Sequence, residues 1–154
     1  MYKILDEPQP SKWNHLAVNP IWPLFGAMFG GAWLSFTWYA FNGYALGCPN
    51  RLKTLFLAIG GFLGALVFTL LIFYLLTIEV VTKANIPYLL LLLLCWKLGV
   101  SYYLYIQQSR TFHIYEHFGN TVKNGVFVVI GGAVFGDKLI LNLFDGPLWS
   151  LVVG

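Results

Sequence analysis

The sequence predicts an all-α membrane protein with about four transmembrane helices in an antiparallel bundle, the fourth either spanning fully or re-entrant. Three observations carry this reading. Apolar runs occupy residues 21–46, 54–78, 86–106 and 126–144 of the 154. The first two contain no Asp, Glu, Lys or Arg. Hydrophobic residues make up 58% of the chain and charged residues 10%, where a soluble domain carries about 25% charged. A bilayer core about 30 Å thick needs roughly 20 apolar helical residues, so runs of this length read as spans. Chain length allows one domain, with 1–19 as an interfacial N-terminal segment and 20–154 as the transmembrane unit. The net charge of +3 is scattered, with no basic cluster of the kind that grips nucleic acid.

Residues 1–19 mix charges, prolines and apolar side chains. Pro8, Pro10 and Pro20 rule out one long helix there, and Trp13 and Trp22 suit the headgroup level. Pro20 and Pro23 fit the first turn of a helix, whose amides have no intrahelical partners. The first run is far longer than a signal-peptide core of about 7–15 residues, so it is expected to remain in the mature protein. It ends in Gly47-Cys48-Pro49-Asn50, a helix stop followed by a turn, with Arg51 and Lys53 in the loop. Glu79, Lys83 and Asn85 mark the next turn, and Pro87 opens the third run. That run carries six leucines, 89–94, then Cys95, Trp96 and Lys97, and closes on Tyr102, Tyr103 and Tyr105. The polar connection after Gln107 and Gln108 reads as an interfacial helix that stops at Gly119-Asn120. Asp137 and Lys138 interrupt the fourth run, and residues 125–136 are too short to span alone. Cys48 and Cys95 fall at depths that differ by much more than the roughly 7 Å limit on Cα separation in a disulfide.

With four spans, Lys3, Lys12 and Lys83 lie on one side, and Arg51, Lys53, Arg110 and Lys123 on the other. Basic residues near span ends favour the cytoplasm, and three against four leans toward both termini outside it.

Glycines recur four apart: Gly26 and Gly30, Gly60 and Gly64, Gly132 and Gly136. Lipid tails are as apolar as leucine, so small residues at this spacing promote helix contact by letting backbones approach. They read as helix packing within the subunit or as an oligomer interface, and three such strips on a short chain lean toward an oligomer.

Lys97 is the most unusual single residue. It sits about 16 Å into the third run at 1.5 Å per residue, where a lysine costs on the order of 3 kcal/mol unless paired or hydrated. In an antiparallel neighbour, Asp137 lies within about one turn of the same level, which makes it the expected partner. Lys138 and Asn142 form a possible secondary polar pair. This charge pair helps two helices find each other or, alternatively, lines an ion path.

His113-Ile114-Tyr115-Glu116-His117 fits the H-x-x-E-H spacing that resembles inverted zinc peptidases, in which two histidines one turn apart hold the metal. Those enzymes need a further acidic ligand downstream, and no glutamate follows Glu116. Neither a metal nor a cofactor is therefore expected, and no catalytic set emerges.

Asn42-Gly-Tyr-Ala-Leu46-Gly47-Cys-Pro49-Asn-Arg51 resembles the end of the first helix in small multipass bacterial membrane proteins of unassigned function, which read Asn-x-x-x-Leu-Gly-x-Pro-x-Arg. Glu116-His-Phe118-Gly119 after the glutamine-rich exit is similar to the same group. The resemblance covers about a quarter of the chain. It implies a bacterial inner (plasma) membrane location and no activity. The expected partners are the lipid bilayer and either further copies of the chain or a partner membrane protein. The expected function is a non-catalytic membrane subunit of accessory, scaffold, immunity or defence type. The alternative is an oligomeric channel or transporter for an ion or small solute using Lys97 and Asp137. No inverted repeat is visible in support of transport.

Overall fold

The computed structural model describes Pro8, residues 11–136, Lys138 and residues 150–152. Within them every regular element is helical: α1 (Ile21–Phe29), α2 (Gly31–Ala45), α3 (Arg51–Thr77), α4 (Ile86–His117) and α5 (Val126–Gly131), the last running on into a π-helical turn, Gly132–Gly136. Short 3-10 turns, Asn14–Leu16 and Lys83–Asn85, precede α1 and α4.

Among the described residues, only α3 and α4 are long and apolar enough to cross a membrane. They lie antiparallel. A Cβ on Gly61 would meet Val100, one on Gly64 would meet Trp96, and the rings of Phe68 and Trp96 pack at a tilt with centroids 5.4 Å apart. The Trp96 indole N–H donates to the Gly61 carbonyl at 3.1 Å.

The first apolar run is not the single helix expected for 21–46. It breaks at Gly30-Gly31 and folds back on itself. Gly31 has φ of 81°, a left-handed conformation that only glycine adopts without strain. A Cβ on Gly26 would lie 3.6 Å from the Trp38 ring, although twelve residues of straight helix would part them by about 18 Å. Hydropathy cannot register this reversal, because both arms are apolar.

α2 then runs antiparallel to α3, bringing Phe36 onto Gly61 and Gly43 onto Thr54. It runs parallel to α4, where Ser35 meets Ser101 and Asn42 meets Gln108. A Schellman motif ends α2: Gly47 sits at φ 66°, Cys48 N–H donates to the Gly43 carbonyl and Gly47 N–H to that of Tyr44. Gly119, at φ 76°, closes α4 in a related way. There the Asn120 side-chain amide reaches the Tyr115 carbonyl at 3.1 Å.

The described part of the fourth run, α5 with its π turn, spans eleven residues, 126–136, or about 16 Å. That is roughly half the depth of a bilayer core. It packs along α1 and α2. Gly125 lies beneath Trp22 and Trp38, Gly132 against Leu34, and Gly136 against Trp33. Of the rest of that run only Lys138, exposed, is described.

Gly31→Ala should lower stability by about 1–2 kcal/mol, the cost of forcing an L side chain left-handed. Gly131→Ala, at a helical position with nothing within 4 Å among the described residues, should be neutral or stabilise by up to about 1 kcal/mol. Thermal unfolding of both variants in mild detergent compares them. Equal midpoints would count against the left-handed turn.

Candidate functional site

The best-organised polar site lies where α2, α4 and the N-terminal segment meet. Asn42 is fully buried in the last turn of α2. Its Oδ1 accepts from the Val18 N–H at 3.0 Å, while its Nδ2 donates to the Val18 carbonyl at 3.1 Å and to Gln108 Oε1 at 3.0 Å. Gln108, also fully buried, donates from Nε2 to the Tyr39 carbonyl at 2.6 Å. A second buried contact, Ser35 Oγ to Ser101 Oγ at 2.8 Å, lies two turns away on the same pair of helices.

The N-terminal segment is tied down at further points. Tyr39 OH donates to the Pro20 carbonyl, Tyr115 OH to that of Asn14, and Lys123 N–H to that of Ala17. Residues 14–20, the exit of α2, the end of α4 and the start of α5 therefore share one end of the molecule. A buried amide left unpaired costs about 1–3 kcal/mol, so this satisfied network fixes where the chain enters.

The sequence offered one unread signal for it. Ser35 and Asn42 are seven residues apart in the first run, and Ser101 and Gln108 repeat that spacing in α4. Seven residues is close to two helical turns, so each pair lies on one face, and the two faces meet.

Lys97 is buried on α4, and its Nζ donates to the Leu151 carbonyl at 2.6 Å. Asp137 and Asn142 lie outside the described residues. The expected packing glycines take different places. Gly26 and Gly30 face Leu34 across the α1–α2 reversal, Gly132 and Gly136 face α2, and Gly64 lies under Trp96. Gly60 has nothing within 4 Å among the described residues, and the inward position on that turn is Gly61. His113, Glu116 and His117 are exposed near the end of α4. His113 Nε2 lies 3.4 Å from Ser109 Oγ. Among the described residues no three His, Cys, Asp or Glu side chains gather where they could hold a metal.

A polar cavity of about 260 Å³ opens beside this network, where the start of α3 meets α4. Lys53 and Arg110 line it from opposite helices, with Asn50, Thr54, Gln107 and Tyr103. Arg51 turns elsewhere, its guanidinium 5.5 Å from the centre of the Tyr44 ring.

Asn42→Ala should cost at least about 2 kcal/mol, since it strands both Val18 backbone groups and the Gln108 oxygen. Gln108→Ala should cost less, and the double variant less than the sum of the singles. Denaturant titration in detergent micelles reads all three. Additive losses would mean that the two amides do not interact.

Comparison with family models, with curated proteins and with solved structures finds no match to this chain.

Proposed function

We propose that the chain is a non-catalytic integral membrane subunit that assembles with copies of itself through the outward face of α3 and α4. One observation carries the reading. Gly61 faces Val100 across the hairpin, and successive helical residues turn by about 100°. Because the helices are antiparallel, Gly60 and Gly99 both step off that contact line to the same side, away from α2. Among the described residues each has nothing within 4 Å. A glycine in a helix interior costs about 1 kcal/mol relative to alanine, and no described neighbour packs on either to offset that cost. A second membrane helix approaching this face would gain the close backbone contact that small residues permit.

The surroundings are consistent with burial in lipid or against a like surface. Phe56, Leu63, Val67, Leu71, Leu92 and Tyr103 all stand exposed on α3 and α4. In the topology we infer, α3 and α4 span the bilayer, whereas α1 and α2 form a hairpin that enters and leaves on one side. α5 enters from that side too. Lys12, Arg51, Lys53, Arg110 and Lys123 then sit on one side, and Lys83 on the other. That asymmetry favours a cytoplasmic location for the first group, replacing the near balance expected from four spans. Assignment to a bacterial inner membrane rests on the resemblance at residues 42–51 and 116–119. The transport alternative gains no support from the described residues: Lys97 Nζ donates to the Leu151 carbonyl, and Asp137 lies outside them.

The test is mass. Gly60→Leu with Gly99→Leu should shift the detergent-solubilised protein toward monomer and leave its helical content unchanged, because a Cβ at either position meets no described atom within 4 Å. A wild type that is already monomeric, or a variant of unchanged oligomeric mass, would defeat the reading.

A further inference from the structure

The geometry points to the cavity between Lys53 and Arg110 as a binding site for a phosphate group, most simply that of an anionic phospholipid headgroup. Two basic side chains from different helices line one cavity, joined by the amides of Asn50 and Gln107 and the hydroxyls of Thr54 and Tyr103. Glu79 and Glu116 are the only carboxylates among the described residues, and neither lines it. An arginine offers a planar fork of N–H donors and a lysine a mobile point charge, the two ways in which proteins grip phosphate oxygens.

Position narrows the ligand. Lys53 is the third residue of α3, and Arg110 lies seven residues before the end of α4. α4 is 32 residues long, about 48 Å at 1.5 Å per residue, so its last turns extend beyond the apolar layer. Tyr103 and Ile106 border the cavity on its apolar side, whereas Arg110 and Lys53 border it on the polar side. The cavity thus straddles the boundary where headgroup phosphates lie, and basic pockets between membrane helices at that level take anionic headgroups. Its volume, about 260 Å³, falls below the roughly 300–1,000 Å³ of sites that enclose a whole small molecule. It suits a headgroup whose tails stay in lipid. The lipid source rests on the two-span topology above, but the phosphate chemistry does not. Oligomeric mass plays no part in the test, so this site and the assembly reading can fail separately.

The purified full-length protein is reconstituted into phosphatidylcholine vesicles containing a minor share of phosphatidylglycerol and then re-extracted. Co-purifying lipid is measured by mass spectrometry. A parallel arm measures binding of radiolabelled inorganic phosphate to the protein in detergent. Wild type should retain phosphatidylglycerol over phosphatidylcholine. Lys53→Gln with Arg110→Gln should reduce that retention about tenfold, because each basic group near a membrane surface strengthens anionic-lipid binding several-fold. Lys123→Gln, outside the cavity, should leave it unchanged. Inorganic phosphate binding that the double variant loses, without lipid selectivity, would assign free phosphate as the source and uphold the site. Overturning results are a wild type with neither lipid selectivity nor phosphate binding, or a folded double variant that matches wild type in both arms. Should the double variant not fold, Lys53→Arg must keep wild-type retention and Arg110→Ala lower it; equal values overturn the site.

Discussion

The amide of Asn42 holds the chain entry against the exit of α2 and the last turns of α4. A side-chain amide offers two donors and one acceptor oxygen, and Asn42 spends them on both backbone groups of Val18 and on Gln108. Water is scarce at such a site, so each of those groups would be costly to leave unpaired. The consequence reaches well beyond one residue. If residue 18 is fixed to residue 42, the intervening chain must go out and come back, and α1 with α2 becomes a hairpin. Gly31 makes the return possible, and Leu34 and Trp38 fill the angle against Gly26, Gly30 and Gly132.

A hairpin that turns inside an apolar layer leaves helix ends where no water can serve them, and such ends are tolerated only when covered by protein. The turn here is covered. The Gly30 N–H donates to the Gly26 carbonyl at 2.9 Å, and Gly132 packs on Leu34 one turn further along α2. α5 and its π turn thus cover the reversal, as a hairpin turning inside an apolar layer would require. This gives a physical reason for two short helical pieces to accompany two long ones.

The long helices were legible in the sequence because length and hydropathy are enough to identify them: α3 and α4 closely match the second and third runs, and α4 absorbs the connection read as a separate interfacial helix. The first run was not legible as a hairpin, since its two arms are apolar and only the backbone angle at Gly31 distinguishes a turn from a straight helix. Gly30 was noticed, but as half of a packing strip rather than as a hinge. The glycine pattern was similarly ambiguous in α3. Spacing alone picks out Gly60 and Gly64, whereas the structure turns Gly61 inward and leaves Gly60 open. The buried amides are not legible in the sequence, because Asn42 and Gln108 each stand near the end of an apolar run and their pairing depends on the parallel run of α2 and α4 that the hairpin creates. Lys97 is legible by its depth alone; the structure gives it the Leu151 carbonyl, and Asp137 lies outside the described residues.

The side of the membrane on which the N-terminal segment lies tests this account most directly. Single cysteines at Ser11→Cys, Thr82→Cys and Thr121→Cys, in a chain carrying Cys48→Ala and Cys95→Ala, can be probed with a membrane-impermeant maleimide on sealed, oriented vesicles. All three positions lie outside the long helices. The account predicts that residues 11 and 121 label from one side and residue 82 from the other. Labelling of residues 11 and 82 from the same side would mean that the first run crosses the bilayer, and would contradict it.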